Sequence, residues 1–252
     1  WTGALRFGGG STSSVDIAGT ITNDASVTFA ADGLNNNSDL VDQRLFIEAG
    51  GTATLAGSGV VGLNGSQTGI QGGGPGTTLV NGPAHGITGS GTLRDLAFTN
   101  QGLVGIGGGT FTFQDVATDN SAGLITVAAD GILTAAGTSS IAGGAIEGHP
   151  GAAIRPGNAA LSLADTRLAG SFGLGAGSTS TLDIHGTIVN DATLTFTRDA
   201  LNNNTAVVDQ RLQLATAGIT TLAGSGTLVL DGFDTGIQGG GPGTTLVNGP
   251  AH

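Results

Sequence analysis

The chain has 252 residues, among them 49 Gly and seven Arg, with no Lys, Cys or Met and a formal net charge of −11. Nucleic-acid binding needs a basic footprint that is missing here; without Cys or Lys there is no thiol nucleophile, no zinc–thiolate centre and no Walker-type phosphate loop. With 38% hydrophobic and 10% charged residues, the chain lacks the composition of a disordered segment, and its glycines have no strict third-residue period, which excludes collagen.

In chain order, Thr20-Ile21-Thr22 and Ser26-Val27-Thr28-Phe29 alternate at period two, as do Thr110-Phe111-Thr112-Phe113 and Thr193-Leu194-Thr195-Phe196. On a strand this places the aliphatic and aromatic side chains on one face and Thr or Ser on the other. The strands are expected to be three to six residues long, with Gly or Asn at corners that need a positive φ. Asn35-Asn36-Asn37, repeated as Asn202-Asn203-Asn204, reads as such a corner. In Val41-Asp42-Gln43-Arg44-Leu45 the Asp and Arg are two apart, so they would share a strand face and pair locally or with an adjacent rung. Residues 49–93 carry no charge, but Gly, Thr, Asn and Pro interrupt them too often to cross a bilayer as a helix.

The chain repeats itself. Residues 1–85 recur without a gap as 168–252; 50 of the 75 positions from 11 to 85 are identical, and 68–85 match 235–252 throughout. Residues 1–167 form one full unit and 168–252 the first half of the next, together one continuous segment, 1–252. Within the unit, similar strand starts occur at Ser26, Thr52, Thr77, Leu103, Leu124, Ala145, Ser171 and Thr193, at spacings of 21–26 residues. About seven coils per 167 residues, each with two or three short strands, predict an all-β fold, a parallel β-helix or β-solenoid. A pair of Ig-like sandwiches would want more than 4% aromatic residues and a linker between the copies.

No group of residues stands out for catalysis. Gly57, Gly59 and Gly62 spell G-x-G-x-x-G, but no helix pattern follows, and Val229 replaces Gly62 in the second copy. The four His, at 85, 149, 185 and 252, form no metal-binding spacing; His149 and His185 could approach across neighbouring coils but read as surface or corner residues. A polysaccharide-cleaving site would need converging carboxylates. Asp231 and Asp234 come closest, but their first-copy equivalents are Asn64 and Gln67. Asp16, Asp24, Asp32 and Asp42 recur as Asp183, Asp191, Asp199 and Asp209, each at a corner or strand end. The expectation is no catalytic, cofactor-binding or metal-binding residue and no cofactor.

Three stretches carry a resemblance: 79–93 (LVNGPAHGITGSGTL), 98–104 (FTNQGLV) and 120–127 (NSAGLITV). They resemble the N-x-G-x-I and I-x-G-x-G-x-L rungs of large bacterial surface proteins, the filamentous-haemagglutinin-like adhesins and autotransporter passengers. The resemblance implies a right-handed parallel β-helix, secretion across the outer membrane, and a role in adhesion or an extracellular filament; it carries over no functional residue. The function expected is therefore that of a non-enzymatic, rod-like segment of a giant secreted or surface-anchored bacterial protein, with a carbohydrate-binding or carbohydrate-cleaving β-helix as the alternative. Expected partners are further copies or neighbouring repeats end to end, with host or matrix surfaces or glycans beside them; no nucleic acid and no membrane insertion of this segment are expected. The unit is also expected to continue past His252 with residues like those from Gly86 onward.

Overall fold

A strand whose inward positions are Val, Ile, Leu or Phe can bury only one side. Short strands of this kind close a core by wrapping around it and stacking each turn on the one before. A computed structural model describes residues 1–8, 12–31, 42–156, 160–175, 180–197, 210–214 and 218–252 in this arrangement, a β-solenoid in which every strand pairing is parallel. The triplets 35–37 and 202–204, with Asp32, Asp199 and Asp209, lie outside the described residues.

Three faces run along the axis. On the first, Ala4 pairs with Ser26, and the ladder continues through Val60, Gly86, Leu103, Leu124, Ala145, Arg167 and Val189. The second face begins with Ser13 on Gln43 and passes through Phe111, Leu133, Ile154, Leu174 and Phe196. The third begins with Gly19 on Ala53 and passes through Leu79, Phe98, Thr118, Ile141, Leu163, Ile184 and Leu214. Inward residues stack on one another in columns and are buried almost completely. At Phe172 a glycine makes room in this narrow core: a side chain at Gly148 would come within 2.6 Å of its ring.

Two features of the strands depart from the sequence reading. Coils run from 17 residues, between Gly86 and Leu103, to 34, between Ser26 and Val60. Several strands are also far longer than six residues: Val60–Gly72, Gly86–Asn100 and Leu103–Asp119 each turn corners, the first and last with a shift of register at the bend. Left-handed residues at those corners, among them Gly89, Gly108, Asp95 and Asp115, make the bend inside one strand.

The strand starts read from the sequence also fall on different faces. Ser26, Leu103, Leu124 and Ala145 share the first, Thr52 belongs to the third, and Ser171 and Thr193 to the second. Seven turns lead from Ala4 to Arg167 on one face, but the second-copy equivalent of Ala4 is Ser171, one face further on. Ser13 on the second face likewise corresponds to Ser180 on the third, and Thr20 on the third to Thr187 on the first. One unit therefore closes seven turns and a third, and the second copy is rotated by one face about the axis.

Candidate functional site: a buried polar spine and an axial groove

The corner between the third and first faces holds a line of buried polar side chains. Asn23, Asn81, His85, Asn100 and Asn120 are each at most 1% exposed. Their hydrogen bonds fix one direction along the whole line. The Ala25 backbone N–H donates to Asn23 Oδ1 at 3.0 Å, which turns Asn23 Nδ2 toward His85 Nε2 at 2.9 Å. His85 Nδ1 then carries the proton and donates to Asn81 Oδ1 at 2.7 Å. Asn81 Nδ2 donates to Asn100 Oδ1 at 2.8 Å, and Asn100 Nδ2 to Asn120 Oδ1 at 2.7 Å. Asn120 Nδ2 ends the line on the Ala145 carbonyl at 3.2 Å. A backbone donor pins one end and a backbone acceptor the other, so no amide can turn over without breaking its neighbours' bonds.

The glycines downstream of these asparagines have a packing reason. A β-carbon on Gly102 would meet the carbonyls of Gly82 and His85, with Asn81 Nδ2 at 3.1 Å. Gly123 lies in the same way over Asn100, and Gly144 over Asn120. The N-x-G look of these rungs thus arises from stacking: each glycine lets the next coil close over the amide beneath it. The second copy repeats the motif, with Asn190 Nδ2 2.9 Å from His252 Nε2. In the sequence Asn81, Asn100 and Asn120 stand out only as rung punctuation, and His85 shows no role. It lies buried on the inside of a corner, and burial lowers its pKa from the usual 6.5 to about 4.

Carboxylates tie coil to coil at the surface. Asp24 Oδ1 accepts from the Ser58 backbone N–H at 2.9 Å, and Asp191 Oδ1 from that of Ser225 at 3.1 Å, the same clamp in both copies. Asp115 and Asp165 accept from the backbones of Thr138 and Thr187 at 2.9 and 2.8 Å. These bonds hold Asp24 and Asp191 below the ordinary carboxylate range, with Arg167, 3.0 Å from Asp191, adding to the second. At Asp183 burial dominates and pushes the pKa up, against the pull of Arg211. Asp231 is exposed and Asp234 is 2% exposed. His149 and His185 are both exposed. Among the described residues, no three His, Cys, Asp or Glu cluster so as to hold a metal ion.

The G-x-G-x-x-G string is also a packing feature. A β-carbon on Gly57 or Gly59 would strike the backbone around Asn23 and Ala25, and Gly224 and Gly226 are equally confined. Gly62 has only ordinary contacts, the nearest 3.5 Å away on Thr28, so valine at 229 is accommodated.

One groove of about 620 Å³ runs along the axis past the Gly73–Gly76 corner, with Phe46, Gln71, Asp95, Asp115 and Thr138 along its length. Arg44 lies over the Phe46 ring, 5.2 Å from its centre, and donates to Gln71 Oε1 at 3.0 Å. Compared with protein-family models, curated proteins and solved structures, the chain matches none.

Proposed function

We propose that this chain is a non-enzymatic structural segment, a length of stiff rod in a large secreted or surface-anchored bacterial protein that serves adhesion or an extracellular filament. The observation that carries this reading is the passage of all three ladders through the boundary between the copies: Ile146 on Leu168, Ile154 on Leu174 and Leu163 on Ile184. Bending a rod of this kind means breaking ladders on at least one face, and adding a unit lengthens it without disturbing those already stacked. The adhesin or autotransporter-passenger identity rests on the rung resemblance alone.

A tandem series of one, two and three 167-residue units tests the reading. At roughly 4.8 Å per coil, each unit should add about 35 Å to the rod in electron micrographs. Spin labels at Ser58→Cys and Ser225→Cys, equivalent positions in successive units, should lie on different faces and farther apart than that axial rise. Lengths that do not scale with copy number, or labels separated by the axial rise alone, would overturn it.

Carbohydrate binding is the second reading, favoured by the groove. It follows the axis for several coils and offers an aromatic face at Phe46 beside the amide of Gln71 and two carboxylates. If glycans bind there, Phe46→Ala should weaken retention on a glycan array by about tenfold or more. Phe46→Gln, which copies the second unit's Gln213, should do the same. Retention unchanged by both substitutions would assign glycan binding elsewhere.

A further inference from the structure

We propose that His85 is a proton-operated latch: adding a proton at Nε2 severs its bond to Asn23 and opens the corner that joins the third face to the first. The inference rests on the directionality of the line and goes beyond the rod reading, which needs only that the coils stack.

Nε2 must accept, because the group facing it at 2.9 Å is an amide nitrogen with its own protons. Asn23 cannot present its oxygen instead, since that oxygen holds the Ala25 N–H. On the other side of the ring, Nδ1 already donates to Asn81, whose nitrogen is committed to Asn100 Oδ1 and to the Leu103 carbonyl at 3.2 Å. An imidazolium has two donors and no acceptor. One of them would point at a donor in a site 1% exposed, so the ring or Asn23 must leave.

The surroundings supply little to hold the charge. Segments 58–60, 83–84, 101–103 and 122–124 line one surface pocket together with His85 and contribute Ser, Gly, Val, Pro, Ala, Gln and Leu, none of them charged. On the Asn23 side the adjoining carboxylate, Asp24, is bound to Ser58 at the surface. Asp119 stands at the far end, beside Asn120, and is engaged by Ser121 at 3.0 Å. Burial lowers the His85 pKa to about 4, so the opened corner binds the proton more tightly than the closed one. The closed form is favoured fully above about pH 6.5 and loses ground tenfold per unit as the pH falls toward 4. The whole window is worth about 300-fold in the ratio of open to closed corners.

Nitrogen-15 NMR of the full chain with labelled histidine tests this directly. At neutral pH the His85 ring should carry its proton on Nδ1, and it should titrate near pH 4. Hydrogen exchange at the Ala25 and Gly86 amides, corrected for the intrinsic pH dependence, should accelerate between pH 6.5 and 4. In His85→Gln, which can accept from Asn23 and donate to Asn81 without titrating, that acceleration should vanish. A proton on Nε2 at neutral pH, titration at or above 6.5, or the same acid response in His85→Gln would overturn the proposal. If the variant does not fold, the tautomer and titration of the parent chain decide.

Discussion

Asn100→Ala should destabilise the solenoid by about 3 kcal/mol, with the loss concentrated in the coils on either side of the substituted one. Asn100 sits in the middle of the spine, accepting from Asn81 and donating to Asn120 Oδ1 and to the Leu124 carbonyl at 3.3 Å. Removing it strips Asn120 Oδ1 of this donor and takes a side-chain donor from Leu124, at about 1–3 kcal/mol for each buried group left unsatisfied. Because each coil contacts only its neighbours, the effect stays local. Hydrogen exchange should show it at residues 120–124, and a denaturant midpoint should show it in the whole chain. Asn100→Asp is the sharper test. A carboxylate there cannot donate to Asn120 Oδ1, and burial would raise its pKa; protonation restores the donor, so the variant should regain stability as the pH falls. That is the opposite sign from His85. A variant whose deficit does not change with pH would show that Asn100 does not act as a donor to Asn120.

Gly144→Ala should be comparably severe, at about 2–4 kcal/mol, whereas Gly108→Ala should cost only about 1 kcal/mol. Both residues have a left-handed backbone, φ 62° and 70°, so alanine carries about the same conformational cost at each. They differ in what a β-carbon meets. At 144 it would strike the Asn120 carbonyl, with Asn120 Nδ2 at 2.6 Å and the Gly123 carbonyl at 2.8 Å; at 108 nothing lies within 4 Å. Overpacking adds about 1–3 kcal/mol at the first site alone. Thermal unfolding of the two variants side by side measures the difference. Equal losses would mean that backbone conformation, and not the fit of one coil over the spine, sets the requirement for glycine.

The sequence by itself determined the class of fold. Alternation such as Ser26-Val27-Thr28-Phe29 dictates one buried face per strand, and Val27 and Phe29 are indeed fully buried. The 167-residue register, the abundance of corner residues and the absence of a linker leave stacked coils as the way to bury those faces. Asp at corners was legible too, because a short side chain that bonds a neighbouring backbone is favoured wherever a chain turns. Asp24 and Asp191 act in that way, though their partners lie one coil on.

Tertiary structure decided which face each strand occupies. Ser26 and Thr52 begin strands of similar alternation, Ser171 heads a like stretch inside Arg167–Gly175, and local pattern has no term for position around an axis. The rotation of the second copy by one face comes from summing every coil length, short and long, over a whole unit. The spine was decided in the same way. Asn81, Asn100 and Asn120 stand 19 and 20 residues apart, and whether such residues meet depends on the length of each intervening coil. His85 acquires its buried place, fixed tautomer and depressed pKa only because Asn23, 62 residues away in sequence, arrives on its other side. A residue's periodicity tells which way it points; what it touches across coils is set by how much chain each turn consumes.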